Sequence, residues 1–126
     1  MSKPVAYIAG QLSADPANYI KNIRKMIVLS EKVRRKGFAV IVPGLDFLTG
    51  LVMGDMSYDD FFQNSLCLML KSDLVVFGDT WRHSKGAKGE HAVATKHRKP
   101  VFYENSLPGL DEMCLHFAKD LGPSVA

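Results

Sequence analysis

With 126 residues, 47% of them hydrophobic and 23% charged, the chain has material for one core and little for a second, so a single domain over residues 1–126 is expected. Its formal charge of +3 and pI ≈ 8.9 come from scattered cations rather than a basic arm, a balance that suits a phosphorylated small molecule and does not demand nucleic acid. The opening "MSKPVAYIAG" has an apolar run too short for a signal peptide or a membrane span, and Cys67 and Cys114 lack any CxxC or metal-ligand spacing, so a soluble, cytoplasmic protein with two reduced, buried thiols is expected.

The first element in chain order is the β-rich run "VAYIA" (5 to 9), followed by a helix from about Pro16 to Lys36. In that helix Ile20, Ile23, Ile27 and Val33 recur at helical spacing, and Gly37 is placed to end it. Lys32, Arg34, Arg35 and Lys36 crowd the last turn, where they complement the negative end of the helix dipole. A second strand, "FAVIVP" (38 to 43), leads into the glycine-containing connection "GLDFLTGLVMGDM" (44 to 56), which is longer than strand-to-helix loops usually are. Ser57-Tyr58-Asp59-Asp60 has the form of a capping box, and Phe62, Leu66, Met69 and Leu70 then follow at helical intervals. The run "DLVVFG" (73 to 78), a helix from about Gly86 to Arg98, the run "PVFYE" (100 to 104) and a helix from about Leu110 to Leu121 complete the series. The strand runs are continuously apolar, as in a parallel sheet buried on both faces. Strand and helix alternate throughout, so the expected architecture is a three-layer α/β domain with right-handed crossovers and its ligand at the carboxyl ends of the strands.

The stretch "WRHSKGAKGEH" (81 to 91) points most directly at chemistry. On a helical wheel Ala87, Val93 and Ala94 form the apolar stripe of the third long helix, and Glu90 lies in its middle while Lys85, Lys88 and Lys96 point away. A carboxylate on a core-facing stripe is costly unless it reaches a polar cavity, which at this end of the helix is the crevice above the strands. The structural alternative is a glutamate that only favours the positive helix end or pairs with a lysine. Ser84 and Gly86 fall where a strand-to-helix turn presents free backbone N–H groups to an anion, although Ser84 can also serve only as an N-cap. Trp81 can stack on a base or act as a packing lid, and Tyr7 can face a ligand or the core. His83, His91 and His97 lack metal-ligand spacing, so neither a metal nor a cofactor is expected.

"YIAG" on the first strand, "SDLVVFGDTW" on the third and Ser84-x-Gly86-x-x-x-Glu90 occur together. In these features the chain resembles the nucleoside 2-deoxyribosyltransferase superfamily, which includes 2′-deoxynucleoside 5′-monophosphate N-hydrolases, over about Val5 to Tyr103. The resemblance implies a flavodoxin-like (Rossmann-like) parallel sheet of about four strands ordered 2-1-3-4, with about four helices. It also implies a glutamate nucleophile at Glu90, Ser84 and Gly86 near the 5′ end of the substrate, Gly10 and Gln11 lining the sugar or base pocket, and Asp46 contacting the base. An ordinary loop or capping role is the alternative for Asp46.

The resemblance departs at Ser65, where the family has an aspartate that helps hold sugar and nucleophile. The expected function is cleavage or transfer of the N-glycosidic bond of a nucleoside or nucleoside 5′-monophosphate. The alternative is a nucleotide-binding or sensing module of the same fold without turnover. By the same resemblance, the expected partners are the small-molecule nucleoside or nucleotide and further copies of the chain in a homo-oligomer; from the sequence itself neither a membrane nor nucleic acid is expected.

Overall fold

The computed structural model describes residues 3–12, 16–43, 52–54 and 57–111. Asp46, Cys114 and all but the start of the expected helix from Leu110 lie outside them, as does most of the long connection before Ser57.

Four strands, β1 (Val5–Ala9), β2 (Ala39–Ile41), β3 (Leu74–Phe77) and β4 (Val101–Tyr103), form one sheet in the order β2-β1-β3-β4. Every pairing is parallel, with Tyr7 opposite Ile41 on one side and Val75 on the other. Three helices cross between them: α1 (Pro16–Arg34), α2 (Tyr58–Lys71) and α3 (Lys85–Lys96). The domain is therefore an α/β fold of the expected strand order. Among the described residues β2 pairs only with β1 and β4 only with β3.

Successive side chains on the two central strands point to opposite faces, which yields two apolar layers. Ala6, Ile8, Leu74 and Val76 pack with Met26, Leu29 and Val33 of α1, whereas Tyr7, Ala9, Val75 and Phe77 pack with Met69 of α2 and Ala94 of α3. Each large aliphatic or aromatic side chain buried this way contributes about 1.5–3 kcal/mol. This two-sided burial explains the unbroken apolar runs.

Local chemistry sets the helix ends. Gly37, at φ 105°, takes the left-handed conformation that turns the chain from α1 towards β2, and a side chain there would be strained. Of the cations in that turn, Arg34 pairs with Glu31, and Lys36 pairs with Asp111 at 3.0 Å. Ser57 caps α2 by accepting the Asp60 N–H at 3.1 Å. At the amino edge of the sheet Asp73 binds Val5 twice: its N–H donates to the Val5 carbonyl at 2.8 Å, and its carboxylate accepts the Val5 N–H at 2.7 Å.

The third helix stops two residues before the expected Arg98. Arg98 has a φ of 57°, its N–H donates to the Thr95 carbonyl, and the Lys99 N–H reaches back to the Ala94 carbonyl at 2.9 Å. That pair of bonds is a Schellman motif with arginine where glycine is usual.

One expectation about the thiols is overturned: Cys67 is free and exposed. It lies two residues, or about 200° of helix, beyond Ser65, and so faces away from the buried side of α2. No described helix is long and apolar enough to cross a membrane.

Candidate functional site

Parallel strands leave a crevice above their carboxyl ends where the crossovers depart to opposite faces, here between β1 and β3. In this position lies a cleft of about 460 Å³, counting the space at its mouth that is open to solvent. Its floor comes from Gly10 and Leu12 after β1 and Pro43 after β2. One wall is α2, through Phe61, Phe62 and Ser65, and the opposite wall is the start of α3, through Ser84, Gly86, Ala87 and Glu90.

The two helical walls approach closely because Gly89 lacks a side chain. A Cβ at that position would lie 2.9 Å from Cζ of Phe62. The neighbouring residue, Glu90, is consequently brought to the cleft as part of the buried stripe Ala87, Glu90, Ala94. Only 7% of Glu90 is exposed. Desolvation by burial pushes its carboxyl up to about 7, against the opposing pull of a hydrogen bond from Tyr7. Tyr7 is fully buried, and its hydroxyl donates to Oε2 of Glu90. It stands behind the carboxylate, in the core layer between sheet and helices.

Ser84 is the N-cap of α3, and its Oγ accepts the Ala87 N–H at 3.2 Å. The first turn of the helix contains no acidic residue. Its N–H groups at Lys85 and Gly86 have no partner within the helix, which creates a positive end suited to an anion.

The structure thus gathers Gly10, Ser84, Gly86 and Glu90 around one cleft, with Tyr7 behind them. Gln11 lines an adjacent crevice with Asn22, Lys25, Asp79, Thr80 and Glu104, and Gly10 borders both. Trp81 is not among the described residues that line the cleft. It belongs to a 3₁₀ turn, Trp81–His83, and stacks on His91 with ring centroids 4.2 Å apart and planes 14° from parallel. Nε2 of His91 is in turn 2.7 Å from the Tyr103 hydroxyl. Burial and, to a smaller extent, the nearby Arg82 charge hold the His91 imidazole below its usual range. These rings pack against Phe77 and support the outer side of α3.

The contributions of Leu12, Pro43, Phe61 and Phe62 were not legible as site residues. The one available signal was Ser65, a hydroxyl interrupting the apolar face that carries Phe61, Phe62 and Met69. Among the described residues no three His, Cys, Asp or Glu side chains gather as a metal site. Glu90 is the only acid among the described residues lining the cleft.

A family pattern matches residues 4–103. The chain belongs to the family DUF4406, a domain of unknown function. The DUF4406 match runs from just before β1 to the last residue of β4, so every described wall of the cleft falls within it. No curated protein and no solved structure matches the chain.

Proposed function

We propose that the cleft binds a nucleoside or nucleoside 5′-monophosphate and that Glu90 cleaves its N-glycosidic bond, in the manner of the nucleoside 2-deoxyribosyltransferase superfamily. The observation that carries this reading is the Glu90 carboxyl, buried in the cleft wall with one oxygen held by Tyr7. Beside it, the uncompensated start of α3 at Ser84 and Gly86 offers a seat for a phosphate.

In the first step an oxygen of ionised Glu90 attacks C1′ as the bond to the base nitrogen breaks, and the bonding electrons leave with that nitrogen, which takes a proton from solvent. The product is an acylal-type glycosyl ester on Glu90. Water then attacks C1′, gives its proton to solvent, and frees the sugar and the carboxylate. If a second base replaces water, the same intermediate completes a transfer. Burial limits the water around the carboxylate, and the Tyr7 hydroxyl favours its charged form. Chromatography of a panel of nucleosides and 5′-monophosphates, with and without an acceptor base, tests the reading. Free base is expected with wild-type protein, and release at the wild-type rate by Glu90→Gln would overturn the nucleophile assignment.

One observation favours a second reading, a nucleotide-binding module without turnover. Retaining glycosidic chemistry generally uses two carboxyl groups, whereas the described lining holds Glu90 alone. That reading predicts calorimetric binding of a nucleotide with no base released.

We also infer a homo-oligomer. Its support is the apolar side of α1 left in solvent, where Ile20, Ile27 and Val28 are 64%, 45% and 48% exposed. Light scattering is expected to give a dimer or a multiple of one, and a monomer at working concentration would rule this out.

A further inference from the structure

The Oγ of Ser65 is a buried side-chain oxygen with no hydrogen-bond partner in the structure. The residue is 2% exposed and borders the same cleft as Glu90. Buried hydroxyls are nearly always paired, so an orphan beside a ligand cleft is a candidate to pair with what binds there. Ser65 is three residues beyond Phe62 on α2, and Glu90 follows Gly89 on α3. Phe62 and Gly89 approach closely, and Ser65 and Glu90 line the same cleft from these two adjacent helices. The other described residues on the α2 wall, Phe61 and Phe62, offer no side-chain hydrogen bond.

Resting on the glycosidic reading above, we propose that Ser65 is the contact for the sugar 2′-hydroxyl, and that the natural substrate carries ribose rather than 2′-deoxyribose. If Glu90 attacks C1′, the adjoining ring carbon is C2′, and its substituent is the sugar hydroxyl nearest the reacting centre. A serine hydroxyl both donates and accepts, as does a 2′-hydroxyl, so the two satisfy each other. Such a bond strengthens as oxocarbenium character develops. A site shaped for a substrate hydroxyl also rejects the analogue without it, because its own polar group is then left unpaired.

The test measures kcat/KM for base release from the four ribonucleoside 5′-monophosphates and their 2′-deoxy counterparts. It compares wild type with Ser65→Ala and with Ser65→Cys, which keeps the volume but hydrogen-bonds weakly. Both substitutions are expected to lower the ribose-to-deoxyribose ratio by about tenfold or more. A ratio within twofold of wild type in either variant, with circular dichroism showing a folded chain, overturns the Ser65 assignment and leaves the glycosidic reading standing. A wild-type preference for the deoxy compounds also overturns it. Folded wild-type protein that releases base from none of the eight, nor from the corresponding nucleosides with or without an acceptor base, overturns both.

Discussion

The Tyr7 hydroxyl donates to Oε2 of Glu90, joining the middle of the central strand to the cleft-facing side of α3 across 83 positions of sequence. The carboxyl is thereby held from behind, and its other oxygen is left for the cleft. Replacing Tyr7 with Phe leaves Oε2 buried and unpaired. The expected cost is about 1–3 kcal/mol in urea unfolding, together with a further rise of the Glu90 pKa, because this bond acts to lower it. A pH–rate profile of Tyr7→Phe with its midpoint at or below that of wild type would contradict the positioning role.

Glu90 also makes stability and activity oppose each other. In the folded chain it keeps its proton up to about pH 7, whereas its usual value is 4.5. Folding therefore takes up a proton between those values. Stability falls as pH rises from about 4.5 to about 7 and stays lowered above that, by about 3 kcal/mol at most. Base release by the ionised carboxylate should instead increase through about pH 7. Glu90→Gln is expected to abolish release and to flatten this fall in stability, which makes it the more stable protein at pH 8. Thermal melts at pH 5 and pH 8 check this, and an equal pH dependence in the two proteins would show that Glu90 is not the group responsible.

Gly89→Ala separates helix propensity from cleft shape. Alanine favours a helix over glycine by about 1 kcal/mol, but its Cβ would meet the Phe62 ring at 2.9 Å. The ring, met at its tip, is expected to swing into the cleft. Global stability should change by less than about 1 kcal/mol while nucleotide affinity drops severalfold. Calorimetry beside urea unfolding checks both halves, and unchanged affinity would show that the ring moves elsewhere.

Arg98→Gly is expected to stabilise the chain by about 1 kcal/mol. Arg98 holds a left-handed φ of 57°, which costs a residue with a Cβ about 1–2 kcal/mol, and glycine removes that cost despite its looser unfolded state. The Schellman bonds of Thr95 and Ala94 are made by backbone and should survive. A lower melting temperature would reveal a role for the arginine side chain.

Much of this architecture was legible because it follows from short-range rules. Short, β-branched apolar runs between turn residues fit strands covered on both faces, and Gly37 and Ser57 mark helix ends by their own chemistry. Glu90 stood out because 100° per residue places it between Ala94 and Val93 on the apolar stripe, whatever the rest of the chain does. Contacts set by tertiary distance were not legible. Tyr7 could face either way until α3 was laid over β1. Trp81 was open between a base platform and a packing lid; the short turn before Ser84 carries its ring back onto His91. Cys67 was expected to be buried from its residue type, but helical phase turned it outward. Phe62 was read only as part of the apolar stripe of α2, and a cleft lined by such a ring has the same pattern as an interior.

The pair of hydrogen bonds between Asp73 and Val5 lies at the amino edge of the sheet, the far end from Glu90. A short clamp there ties the two central strands together without lending any group to the cleft. Selection on stability and selection on specificity can consequently act on different residues. Libraries randomised at Leu12, Pro43, Phe61 and Ser65 would sample new ligands while leaving this clamp intact.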